Sequence, residues 1–393
     1  MGLVETSAAG LEAVPVPFSA PIPAAESTRA RERMLSLDVM RGFVVVGMIV
    51  VNTIAFSNVS YGYHPASQLL SHSLWAGFTF ADFVFPAFIF MAGFAIAISL
   101  RRATPEWQTI RRIGARSFAL LALGFLLANV TLFDQVGDWR CLGVLQRIGL
   151  CYFATALLFL ACQPRARVLL TICLLTIYWP LTLLPLPHEP TNLLLPGANF
   201  ISWVDRTVLG RHALVAGPQG YDPEGLLSTL PAIAQCLFGA SIGEWFLKNR
   251  VRDDALPKIA LAGAACLLLG LCWSPFFPIV KNIWTSSFVL VSSGLVMIMF
   301  CAFYWVMDER KVRLRGAPFL EAFGVNALLA YILQELAQLL PAAGALGDMH
   351  AIGIASLNTQ IPGLVGNLPV VAFILILWAP LELMRRRRWI LKI

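Results

Sequence analysis

The sequence predicts an all-α fold: a polytopic membrane protein of about ten transmembrane helices in a single bundle. Three observations predict it. Of the 393 residues, 58% are hydrophobic and only 13% charged, with a mean hydropathy of +0.74, whereas soluble domains are nearer half apolar and a quarter charged. Ten apolar runs are long enough to cross a hydrocarbon layer about 30 Å thick. Lys and Arg, finally, alternate in density from one connection to the next: with an inside amino terminus, 24 of the 29 fall in inside segments. The positive-inside rule then puts both termini in the cytoplasm. It also accounts for the net charge of +7 and the pI of 9.1 without any nucleic-acid partner.

The first run, about 38–57, opens with Asp38 and Arg41, three apart on one helical face and placed to pair, and carries Asn52 near its outer end. The second, about 78–100, runs inward. His72 sits at its outer mouth beside Trp75, and Asp82 lies ten residues on, roughly 15 Å deeper if the intervening chain is helical. The third and fourth runs, about 114–133 and 141–162, flank a short outside turn, and the fourth holds Gln146 and Arg147 in its outer half. The fifth is about 167–186, and a polar Pro- and Gly-containing outer segment at about 187–224 follows it, long enough to act as a lid. The sixth, about 225–247, is preceded by Tyr221-Asp222-Pro223-Glu224. A short seventh run (258–273) precedes the eighth (283–307), which opens with Trp284-Thr285-Ser286-Ser287. The ninth, about 318–340, carries Asn326, Gln334 and Glu335, and the tenth is about 364–384.

Residues 1–33 read as a disordered cytoplasmic tail: Pro15, Pro17, Pro21 and Pro23 stand among small residues, with no basic and apolar regions of a signal peptide. Residues 34–393 read as one domain. Its outer loops at 58–77 and 341–363 are nearly free of Lys and Arg. No internal repeat is visible. The eight cysteines lie mostly in apolar runs without CxxC or His/Cys ligand spacing, so they read as small core residues, with no metal site.

Ionisable groups among lipid tails cost several kcal/mol and normally face a cavity or a partner. Nearly all of the unexplained polarity falls in one leaflet, so Asn52, His72, Trp75, Asp82, Gln146, Arg147, Asp222, Glu224, Trp284, Ser286 and Asn326 are expected to line a cavity open to the outside. Structural roles compete for several of them. Asp222 and Glu224 suit a helix amino terminus, and Thr285, Ser286 and Ser287 can bond backbone carbonyls. Arg147 requires an ion pair, with Asp82 or Glu224 the available partners.

The chain lacks a GxSxG elbow, a P-loop, a dinucleotide-binding glycine pattern and HExxH. What it does offer is an outward histidine. An imidazole titrating near neutrality can take a proton from an attacking amine or hydroxyl, or can itself accept an acyl group, with Asn52 holding the tautomer or the oxyanion.

Four blocks resemble the heparan-α-glucosaminide N-acetyltransferase family and its bacterial NagX-type relatives. They are Ser36-Leu37-Asp38-Val39-Met40-Arg41-Gly42 running on to Asn52; His72 through Pro86 and on to Gly93; Gly143-Val144-Leu145-Gln146-Arg147; and Tyr221-Asp222-Pro223-Glu224-Gly225-Leu226. Trp284 to Ser287 and Gly324-Val325-Asn326 agree with it. The resemblance implies a ten-span core in a bacterial inner (plasma) membrane that takes acetyl-CoA as acyl donor from the cytosol and acetylates an amino sugar or glycan on the far side. It implies His72 as the active-site histidine and Asn52 as its companion. The leading span that precedes the core in the lysosomal member has no counterpart here, so heparan itself is not the expected acceptor. Coenzyme binding residues stay unassigned among inner basic residues such as Arg101, Arg102, Arg111, Arg112, Arg313 and Arg315. The lipid-facing helices allow a homodimer. The alternative is an amino-sugar permease with an outward polar pocket and no chemistry.

Overall fold

Helices account for most of the computed structural model, which describes residues 34–55, 69–130, 139–187, 190–215, 217, 219–312, 314–337, 339–340 and 368–391. The tail expected over 1–33, most of the outer loop at 58–77 and the whole of that at 341–363 lie outside these residues. In chain order the helices are α1 (Leu35–Ala55), α2 (Phe80–Leu100), α3 (Trp107–Asn129), α4 (Val144–Ala161), α5 (Pro164–Thr182), α6 (Phe200–Leu209), α7 (Thr229–Asn249), α8 (Ala255–Trp273), α9 (Ser286–Tyr304), α10 (Ala317–Val325), α11 (Ala327–Ala337) and α12 (Leu368–Arg386). The last turn of α9 widens into a π-helix at Trp305–Glu309. Two isolated bridges are the β pairing among the described residues.

Among the described residues, seven helices are long and apolar enough to cross a membrane: α1, α2, α4, α5, α7, α8 and α9 with its π turn. The pair α10 and α11 makes an eighth if counted as one span, bent by 82° at Asn326. Helices occupy all ten of the apolar runs, but the count of ten spans remains an expectation from the sequence. Another difference lies at 187–224, where the expected loop contains α6, an amphipathic helix that buries Ile201, Ser202, Asp205 and Leu209. Asn199 caps it by accepting a hydrogen bond from the Ser202 amide at 2.9 Å.

Apolar contact alone drives helices together only weakly in lipid, so close approach through small residues matters most. The central pair is α2 and α7. A Cβ on Gly93 would collide with the carbonyl of Cys236, and one on Gly239 with the carbonyl of Phe90. Gly42 of α1 and Gly324 of α10 make the same kind of contact, each against the other helix's backbone. Around α2, Phe85, Ile89, Ile96 and Ala97 join Trp284, Phe288 and Val291 of the turn before α9 and α9 itself in one apolar cluster. The two ends of α2, about 30 Å apart, therefore present different surroundings.

Candidate active site

Two segments that are remote in sequence meet at the amino-terminal end of α2. The Gly77 amide donates to the Ile279 carbonyl at 2.9 Å, and Ala76 and Val280 form an antiparallel bridge. Gly77 has φ +137°, a conformation that a side chain disfavours. Beyond the bridge the chain turns sharply. The Thr285 amide donates to the Val280 carbonyl at 3.1 Å, and the Val280 amide donates back to Thr285 Oγ1 at 3.0 Å. Within this turn Trp284 is fully buried at φ +52°, unusual for a bulky residue.

Asp82 organises the other side. It is the N3 residue of a capping box with Thr79, which fixes the start of α2. Its Oδ2 accepts from the Ser73 amide at 3.1 Å and from the Thr79 amide at 3.2 Å, and its Oδ1 lies 3.0 Å from His72 Nδ1. The separation of about 15 Å expected between His72 and Asp82 is therefore corrected to direct contact. Residues 71–79 are not helical, and they fold back over the helix end that Asp82 caps. A carboxylate surrounded by donors can only accept, so it is His72 Nδ1 that donates to Asp82. Asp82 is fully buried, whereas the His72 side chain is 48% exposed.

The bridge places Lys281 on the same ring. Its Nζ lies 3.0 Å from His72 Nδ1, 3.3 Å from Nε2 and 3.7 Å from Asp82 Oδ1. With the Nδ1 hydrogen already directed to Asp82, the ammonium rests against the imidazole edge. Burial pushes the Lys281 ammonium below the ordinary lysine range, while Asp82 and Glu224 pull it back up.

Behind these residues stands a layer that is mostly paired internally. Arg147 is buried, its guanidinium 5.0 Å over the Trp284 ring, with Nη2 donating to the Gly225 carbonyl at 3.1 Å and to Ser228 Oγ. The ion pair expected with Asp82 or Glu224 is corrected: no carboxylate touches Arg147 among the described residues, because Arg140 takes both Asp222 and Glu224. Two of the Arg147 nitrogens, Nε and Nη1, have no hydrogen-bond partner among the described residues. Trp284 donates from Nε1 to Gln235 Oε1 at 3.0 Å, and Gln235 Nε2 donates to the hydroxyls of Ser292 and Ser293.

Other sequence-selected residues brace the scaffold. Trp75 is buried against Tyr221 and donates to the Leu193 carbonyl at 2.9 Å, tying the chain at Leu193 to the site. Ser286 donates to the Leu175 carbonyl and Ser287 to the Pro278 carbonyl, the structural alternative considered for them. Gln146 packs against Gly124 of α3. Asn52 is half-buried in the last turns of α1, and no hydrogen bond joins it to His72. Asn326 does not join the cluster. It sits at the bend between α10 and α11, where Nδ2 donates to the Trp389 carbonyl and Oδ1 accepts from the Leu391 amide. Among the described residues these groups meet in pairwise contacts, and the ones gathered at His72 are Asp82 and Lys281.

Several participants escaped the sequence reading. Lys281 stood out only as a cation in an otherwise apolar outside turn, and the bridge that delivers it has no local signature. Arg140 and Asp205 were likewise unremarked. Asp205 accepts from the Leu226 amide at 3.0 Å, and its other oxygen faces Gly225 without a hydrogen-bond partner among the described residues. Burial pushes the Asp205 carboxyl up to about 7 and also raises that of Asp222, which Arg140 partly offsets.

At the opposite end of α2 lies a cavity of about 450 Å³ lined by cations. Arg101 and Arg102 follow α2, Arg167 belongs to α5, and Lys248 ends α7; Glu244 is the acidic residue of the lining. Arg167 is nearly buried, bonded to Glu244 and to the Phe159 carbonyl. That end of α2 is basic and remote from His72.

A family model described as heparan-alpha-glucosaminide N-acetyltransferase, catalytic, matches residues 33–275, which include α1 to α8 and the His72–Asp82 pair. The human protein named heparan-alpha-glucosaminide N-acetyltransferase is 30% identical over 364 residues, covering 77% of this chain and 53% of the human one. The mouse protein of the same name is 29% identical over 379 residues, covering 81% of this chain and 56% of its own. The chain thus spans about half the length of these relatives. With more than half of its sequence matched by the family model, this chain belongs to the heparan-alpha-glucosaminide N-acetyltransferase family.

Proposed function

We propose that the chain is a transmembrane acyltransferase that moves an acetyl group from cytosolic acetyl-CoA to the amine of an amino sugar or glycan on the extracytoplasmic side. The reading puts the protein in a plasma membrane with both termini in the cytoplasm. The observation that carries it is the half-exposed imidazole whose Nδ1 is anchored to a buried carboxylate, with Nε2 turned away from that carboxylate and 3.3 Å from Lys281 Nζ. Nε2 takes a proton as the acceptor nitrogen attacks the thioester carbonyl; the C–S bond then breaks, and the departing thiolate of coenzyme A receives a proton from the imidazolium. Alternatively, Nε2 attacks first and carries the acetyl group to the amine. Rapid quenching with labelled acetyl-CoA and no acceptor separates the two routes, since only the second leaves label on the protein.

The cavity bounded by Arg101, Arg102, Arg167 and Lys248 suits the phosphates of the donor, and the names of the relatives support the acetyl group and the amino-sugar acceptor. On this reading the pantetheine arm threads most of the length of α2, through a region whose side chains now form an apolar cluster. Binding of the donor must therefore shift some of them. The test is acetylation of glucosamine by the protein in proteoliposomes supplied with acetyl-CoA. His72→Ala is expected to lower the rate by at least about 100-fold, the scale of a lost general base. Counterflow of unmodified glucosamine that survives in His72→Ala, with no acetylated product from the native protein, would instead establish a permease.

A further inference from the structure

The feature of the site that the reaction as written leaves unused is the second cation. Lys281 reaches His72 from a different element than Asp82 does, its side chain is only 13% exposed, and it approaches both ring nitrogens. A hydrogen-bonded partner for an imidazole would normally address one nitrogen in the ring plane. A flexible surface lysine would lie in solvent. Instead the tight turn at 280–285, locked by Thr285 and by the Ala76–Val280 bridge, delivers the ammonium to the ring edge. Asp82 alone, a buried carboxylate 3.0 Å from Nδ1, would favour the imidazolium. An imidazolium has no lone pair with which to take a proton from the acceptor.

We propose that Lys281 is a positioning residue for His72: its ammonium opposes the Asp82 carboxylate and holds the imidazole neutral, oriented through Nδ1, with Nε2 able to act. This rests on the reading of His72 as the base. Charged groups facing the pair are Asp82 from α2, Glu224 from the segment before α7, and Arg147 from α4; Glu224 is itself held by Arg140. Removing Lys281 leaves Asp82 as the dominant neighbour, and the ring then protonates at higher pH. Once the acceptor's proton has arrived, the same ammonium favours its release to the departing thiolate.

The experiment measures the pH dependence of diethyl pyrocarbonate labelling of His72 in the detergent-solubilised full chain, read by mass spectrometry of the His72 peptide. The reagent attacks the neutral ring, and the readout needs no turnover. In K281M the pH of half-maximal labelling is expected to rise by about one unit, about tenfold in labelling rate on the acidic side, as befits a unit charge lost at 3 to 4 Å in a partly wet site. K281R retains the native profile, and D82N moves it the other way. The acidic limb of the acetylation rate profile shifts upward in pH in K281M, so that the loss of rate is largest at low pH. A half-labelling point in K281M equal to the native one overturns the proposal, as does an equal loss of rate at every pH. K281Q replaces K281M if the latter does not elute as folded protein. If the labelling shifts as stated and no acetylation is found, the coupling of Lys281 to His72 stands and the proposed reaction fails.

Discussion

Asp82 does two things at once: it caps α2, and it fixes the tautomer of His72. Asp82→Asn separates these roles, since an amide oxygen can still accept from the Ser73 and Thr79 amides but no longer dictates which ring nitrogen carries hydrogen. The expected outcome in the acetylation assay is a fall in kcat of about 100-fold with KM nearly unchanged. Asp205 gives a stability prediction with a definite sign. Its carboxyl is raised by burial to about 7, so the folded protein holds that proton more tightly than the unfolded chain does. The stability involved is complete below the ordinary carboxylate value of about 4, declines as pH rises, and is lost above about 7. Thermal denaturation in detergent should therefore give a Tm about one to two degrees lower at pH 8.5 than at pH 6, with the difference much reduced in Asp205→Asn. His72 and Asp82 were legible in the sequence as polar residues at one membrane level. Their contact was not, because a helical rise applies only to helix, and residues 71–79 are irregular chain. Lys281 was illegible as a partner because a single isolated bridge between remote turns brings it there.

Helix pairs in this bundle are set by a few close approaches, and these are where substitution has its largest structural effect. On α2, Gly93→Leu would drive a branched side chain into the Cys236 carbonyl of α7, where a collision with backbone has no rotamer that avoids it. Overpacking costs about 1–3 kcal/mol or more, and size-exclusion chromatography should show loss of monodisperse protein. Arg140→Met is a second such test. Its removal leaves Asp222 and Glu224, both buried, as two carboxylates without their cation; breaking such a pair costs about 3–5 kcal/mol, and the Tm should fall accordingly. The apolar runs announced the positions of these helices well because a span must be continuously apolar. Amphipathic α6 was missed for the same reason: it lies within a polar segment and buries one face only, including the polar Ser202 and Asp205. The bend at Asn326 was also hidden, since the residues on either side continue the same apolar pattern.

Across the bundle, the two ends of α2 carry opposite chemistry, and the proposed reaction needs both. Acetyl-CoA should raise the Tm of the solubilised protein, and 3′-dephospho-CoA should do so less. The double variant Arg102→Gln, Lys248→Gln, at residues lining the basic cavity, is expected to weaken acetyl-CoA binding by at least about tenfold, each lost charged hydrogen bond being worth roughly 1.5–3 kcal/mol. Unchanged binding would move the donor's phosphates elsewhere. The charge asymmetry behind this arrangement was plain in the sequence, but the cavity was not, because it is enclosed by the ends of α2, α4, α5 and α7 together.

The two hydrogen bonds of Asn326, one donated to the Trp389 carbonyl and one accepted from the Leu391 amide, bear on how the gene is trimmed or tagged. A fusion joined beyond Leu391 retains both partners of this clasp. Deleting the last five residues would strip a buried amide of both partners, at about 1–3 kcal/mol for each orphaned group, and free two half-helices to straighten. Versions shortened for purification should therefore stop no earlier than Leu391.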